Sequence, residues 1–79
     1  MRVRTMADAG AVVRGAREEA GLTQVELAAR ARVSREWLVA FENGKPNANL
    51  RLALAVWQAL GLVADIVADP ARPRTEDQP

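Results

Sequence analysis

The chain has 79 residues, room for one small domain whose single core is marginal without help from a partner. It holds no cysteine, histidine or tyrosine, which excludes disulfides, thiolate metal sites and the commonest general base; Ser34, three threonines and scattered carboxylates are the only conceivable catalytic groups, so neither an enzyme nor a metal or cofactor is expected. The net charge of +1 conceals an asymmetry, because residues 1–62 carry nine Lys/Arg against six Asp/Glu and residues 63–79 carry two against four.

No apolar run is long enough to span a bilayer, and the start, "MRVRTMADAG", lacks the apolar core of a secretory signal. A cytoplasmic protein with no membrane contact is expected. The first helical stretch is "TMADAGAVVRGAREEAG". Thr5 and Asp8 stand at capping spacing, Met6, Ala9, Val12 or Val13, and Ala16 recur at helical intervals, and Gly21 ends the run. Gly10 and Gly15 each weaken it by up to ~1 kcal/mol relative to alanine, so it relies on packing.

A second helix opens on the capping box from Thr23 to Glu26, with Val25, Leu27, Ala28 and Ala31 behind it. Ser34 caps a third, "REWLVAFE", whose Trp37, Leu38 and Phe41 form an apolar stripe. Only Arg32 and Val33 separate the two, a connection short enough to predict a helix-turn-helix. Asn43-Gly44 ends the third helix and Lys45-Pro46 keeps the chain extended.

The fourth helix, "NANLRLALAVWQALG", is capped by Asn47 or Asn49 and closed by Gly61. Leu50, Leu54, Trp57 and Leu60 mark one apolar face and Leu52, Val56 and Ala59 another, more apolar surface than one core needs. "LVADIVAD" then alternates as a short strand, which must pair with its twin across a two-fold axis or with the N-terminal "MRVR". Domain boundaries are therefore set at 1–69, with 70–79 an acidic, Pro-rich disordered tail. Leu52, Val56, Val63, Ile66 and Val67 are the candidate dimer interface.

With Leu38 and Phe41 turned inward, Ser34, Arg35, Glu36, Val39 and Ala40 occupy the outward start and side of the third helix. A helix presented end-on fits the DNA major groove, where arginine donates to guanine and glutamate accepts from cytosine N4. The backbone amides that open the second and third helices, with the Gln24 side chain, suit phosphates. Taken singly, Arg35 and Glu36 are what any wet first turn carries; the whole pattern favours base reading.

That pattern, "LTQVELAARARVSREWLVAFENGK", resembles the Cro/repressor (XRE) type of helix-turn-helix over roughly residues 6–61. The continuation "ENGKPNANLRLALAVWQALGL" and the strand resemble HipB-like antitoxins encoded beside HipA-type kinase toxins. The resemblance implies an all-α, four-helix, lambda-repressor-like DNA-binding domain with a short C-terminal β-strand pairing across a homodimer. It implies that Gln24 and Ser34 contact backbone or base edges, and that Arg35, Glu36 and Ala40 face the bases; Thr23, Arg32 and Val39 stand beside them as further candidate DNA contacts. It places Asn43, Gly44 and Lys45 on phosphate and pairs Arg17 with Glu42 in a partly buried ion pair.

One departure stands at Arg32, where the family usually has glycine; if the turn keeps a positive φ, the side chain there costs roughly 1 kcal/mol. Trp37 is expected to pack on the fourth helix, and Trp57 to be core or dimer interface. The function expected is an autorepressing transcriptional regulator that binds a double-stranded operator as a homodimer, with a HipA-like kinase toxin as second partner. A free-standing repressor without a toxin and a protein-interaction adaptor are the alternatives.

Overall fold

The computed structural model describes residues 3–45 and 49–63. They form α1 (Met6–Glu19), α2 (Gln24–Ala31), α3 (Arg35–Glu42) and α4 (Leu50–Ala59). Each helix starts on a side chain that satisfies an orphan amide of the first turn. The Thr5 and Thr23 hydroxyls each accept from the backbone N–H three residues on, at 3.0 Å, while Asp8 and Glu26 accept in return from the capping residues' own amides. The Ser34 hydroxyl accepts from the Trp37 amide at 3.0 Å, and Asn49, not Asn47, caps α4 through the Arg51 and Leu52 amides.

All four helices close on one motif, in which the chain turns through the left-handed region and two successive amides donate back to the last free carbonyls. Glycine occupies the turning position after α1, α3 and α4, as Gly21, Gly44 and Gly61. After α2 that position is Arg32, at φ 59 and ψ 43, the sole non-glycine residue with a positive φ among those described. The turn therefore keeps the shape that glycine would give it, and carries the strain of a Cβ.

The core draws on every helix: Val13 from α1, Leu27, Ala28 and Ala31 from α2, Leu38 and Phe41 from α3, and Ala53 and Val56 from α4. α1 packs on α3, α2 on both α3 and α4. The alanines on α2 and α4 are small where those two helices meet. Trp37 is half-buried against this core and stacks on Phe41 of its own helix, centroids 5.0 Å apart and planes 11° from parallel.

Gly10, an apparent weakness of α1, is buried against the end of α3. A Cβ there would stand 2.3 Å from the Phe41 carbonyl oxygen and 2.7 Å from that of Glu42, and one on Gly44 would stand 2.9 Å from the Ala7 Cα. Two glycines thus let the backbones of α1 and the α3 terminus come into direct contact.

The two apolar stripes read for α4 require correction. Its core face runs through Ala53 and Val56, with Trp57, Ala59 and Leu60 packed against them, whereas Leu50 and Leu54 are 66% and 43% exposed. Val56 is fully buried and has no surface to offer a second copy, so it leaves the candidate dimer interface; alanine at position 53 lets α4 approach closely enough to bury it. Leu52 is half-buried and Val63 is 91% exposed. Of the expected strand, Leu62 and Val63 are described and neither is in a strand: the Leu62 amide instead closes α4 on the Trp57 carbonyl at 2.8 Å. Ile66, Val67 and the tail 70–79 lie outside the described residues.

Two substitutions at opposite ends of the chain's backbone economy have opposite signs. Gly10→Ala forces a methyl group into backbone atoms that cannot move aside and costs at least about 1–3 kcal/mol of stability. Arg32→Gly relieves the left-handed strain and gains up to about 1 kcal/mol, the looser unfolded chain offsetting part of the relief. Urea denaturation followed by circular dichroism reads both; an Arg32→Gly variant less stable than the parent would remove the strain assigned to that turn.

Candidate nucleic-acid interface

Behind the helix-turn-helix lies a partly buried polar network centred on one carboxylate. Glu42, the last residue of α3, has a side chain only 2% exposed and needs donors for both oxygens. Arg17 of α1 supplies two, Nε to Oε2 at 2.8 Å and Nη2 to Oε1 at 3.1 Å, and its Nη1 donates to the Leu22 carbonyl at 2.9 Å. Gln24, at the start of α2, donates its Nε2 to Glu42 Oε1 at 3.2 Å. The hydrogen bond to Glu42 is the largest influence holding the Arg17 guanidinium above its ordinary pKa, outweighing the burial that opposes it. No buried side-chain polar atom among the described residues lacks a partner.

This network fixes the ends of the two helices that present the candidate interface. On α3, Ser34, Arg35 and Glu36 are exposed and Val39 and Ala40 half-exposed, so the first turn and one flank face outward while Leu38 and Phe41 anchor the other side. Arg32, Asn43 and Lys45 are exposed at the two ends of α3, and Gly44 is held half-buried against Ala7. Among the described residues Arg32, Arg35 and Lys45 have no ion-pair partner, whereas Arg17 is fully engaged.

At the start of α2 the capping box uses the amides of Thr23 and Glu26, which leaves those of Gln24 and Val25 without an intrahelical acceptor. Two unpaired amides at the positive end of a helix suit an anion. The Thr23 amide, and then the Thr23 side chain, hold the Glu26 carboxyl below the usual carboxylate range. The sign follows: the bond's stabilisation is present above that range and is lost as pH falls through the lowered value.

Of the side chains expected to meet DNA, Thr23, Arg32, Ser34, Arg35, Glu36, Asn43 and Lys45 are exposed and Val39 and Ala40 half-exposed, whereas the Gln24 amide is turned inward onto Glu42. Position 24 alone gives no sign of that bond, since its acceptor lies 18 residues on and is placed by the crossing of α2 and α3. Gly10 carries no such sign by itself either, since Gly15 stands in the same helical pattern with nothing within 4 Å of the position of a Cβ. Among the described residues no helix is long and apolar enough to cross a membrane.

The helix-turn-helix domain family matches residues 8–69. The HTH-type transcriptional regulator y4mF of Sinorhizobium fredii is 45% identical over 71 residues, covering 90% of this chain and 93% of the relative. An HTH-type transcriptional regulator of Methanothermobacter thermautotrophicus is 44% identical over 50 residues, 63% of this chain and 72% of its own length. Among solved structures, a HipB–O4 20mer complex and a HipA–HipB–O2–O3 complex each superpose with a TM-score of 0.79 at 22% identity, over 86% of this chain and 96% of theirs. The latter likeness is one of fold.

The buried pair has a testable energetic signature. Arg17→Met strands the Glu42 carboxylate without its cation and lowers stability by about 3–5 kcal/mol, whereas Arg17→Met with Glu42→Leu recovers most of the loss. Denaturant titrations of the parent, the single and the double variant measure it, and a single variant as stable as the parent would show that water reaches Glu42 instead.

Proposed function

The chain belongs to the helix-turn-helix domain family, and from that premise we propose that it is a sequence-specific DNA-binding transcriptional regulator. The observation that carries this reading is the start of α3: an exposed Ser34-Arg35-Glu36 turn whose guanidinium has no ion-pair partner among the described residues, held by a helix whose other face is packed through Leu38 and Phe41. In the major groove Arg35 donates to guanine O6 and N7, Glu36 accepts from cytosine N4, and Val39 and Ala40 offer apolar contact to a thymine methyl. Thr23, Ser34, the free first-turn amides of α2 and α3, Arg32, and the Asn43-Gly44-Lys45 loop meet phosphates and set the register.

The acting unit is a homodimer on a pseudo-palindromic operator with half-sites roughly 34–36 Å apart. Support comes from the apolar surface that α4 leaves uncovered, Leu50 and Leu54, together with Leu52 and the exposed Val63. Ile66 and Val67 extend this surface in sequence. Regulation is repression of the chain's own operon, in the manner of an antitoxin, with a HipA-type kinase as second partner. The resemblance of "ENGKPNANLRLALAVWQALGL" to HipB-like antitoxins and the shared fold with HipB support that partnership.

Anisotropy titrations with DNA from just upstream of the gene and a scrambled duplex, across a salt series, test the contact assignments. Arg35→Ala weakens specific binding by about 1–3 kcal/mol and relaxes the preference at one base pair. Lys45→Ala weakens both duplexes alike and reduces the salt slope by about 0.9. Unchanged discrimination in Arg35→Ala would exclude base reading by that side chain, and absence of salt-sensitive binding by the parent would exclude the DNA-binding function.

A further inference from the structure

We infer that Gln24 is a positioning residue for DNA recognition, one whose amide straps the start of α2 to the end of α3 through Glu42 and thereby keeps the reading end of α3 in register. The inference rests on the DNA-binding reading above and concerns how that surface is held. α2 and α3 are joined at one end by the turn through Arg32, Val33 and Ser34. At the far end, where α2 starts and α3 finishes, the side-chain tie is Gln24 Nε2 to Glu42 Oε1 at 3.2 Å.

Glu42 is suited to serve as the fixed point. Its carboxylate is almost wholly buried, two of its acceptor positions are filled by Arg17, and Arg17 is itself held by the Leu22 carbonyl. A hydrogen bond to an ionised acceptor shielded from water is stronger than one made at the surface. The tie thus connects α2 to an anchor that also includes α1.

The consequence for DNA follows from where the contacts lie. Phosphate-facing groups sit at the start of α2 and just beyond α3, at Lys45, while base-facing groups sit at the start of α3. If α2 and α3 splay, the phosphate contacts adapt because the backbone presents oxygens repeatedly, but base-edge hydrogen bonds lose alignment within about half an ångström. Loss of the tie therefore lowers discrimination and leaves the number of neutralised phosphates alone.

Gln24→Met keeps the length of the side chain and removes its donors. The probe is a duplex enriched from a random pool by the full-length parent chain, set against its scrambled counterpart, with circular dichroism melts locating a titration temperature at which every variant is folded. The expected result is a fall of about tenfold in the ratio of specific to scrambled affinity, with scrambled affinity and salt slope unchanged. Gln24→Lys, whose ammonium again donates to Glu42, restores the ratio. Gln24→Ala gives a second reading of the same loss should the methionine variant fail to fold.

An undiminished ratio in Gln24→Met or Gln24→Ala overturns the inference while the DNA-binding reading stands. A uniform weakening of both duplexes also overturns it, by making Gln24 a phosphate contact through its neutral amide, which leaves the salt slope as it was. If the parent enriches no duplex, the DNA-binding reading falls, and the inference with it.

Discussion

An anion placed where water cannot reach it is costly to bury, by several kcal/mol after relaxation, and Glu42 is such an anion. The surrounding architecture answers that cost. Arg17 reaches from α1 with a two-pronged donation, Gln24 reaches from α2, and Leu22 holds the third arm of the guanidinium. The same arrangement sets relative orientation, because a guanidinium fork and a carboxylate meet in one plane and tolerate little rotation. Apolar contacts through Val13, Leu27, Leu38 and Val56 supply the cohesion of the core but are permissive about angle.

Backbone contact between α1 and α3 brings the pair within reach. With Gly10 against the Phe41 and Glu42 carbonyls, and Gly44 against Ala7, the helices are closer than side chains would permit. A larger residue at either position would hold α1 off and draw the guanidinium away from its acceptor. The glycine that lowers the intrinsic helicity of α1 is thus offset by the contact it allows, a local concession made for a tertiary gain.

Local chemistry made much of this legible. Thr5, Thr23 and Ser34 announce helix starts because a cap acts over three residues, and Gly21, Gly44 and Gly61 announce ends for the same reason. Arg32 was readable as a strained substitute only against the glycine usual in the family it resembles, and its φ of 59 puts it in the left-handed region. The outward set from Ser34 to Ala40 followed from helical periodicity alone. Where reading from sequence went astray, the determinant was non-local. The core face of α4 passes through Ala53, a small residue that draws no notice among leucines until α2 is laid against it. Gln24 looked like a surface amide because its acceptor arrives from the far end of another helix.

The two helices of the helix-turn-helix are only eight residues each. At that length an isolated helix barely forms in water, since nucleation outweighs the few bonds that follow. Neither α2 nor α3 therefore persists once its neighbours leave. A helix of this length depends on its surroundings for its form. Its order is a property of the entire fold.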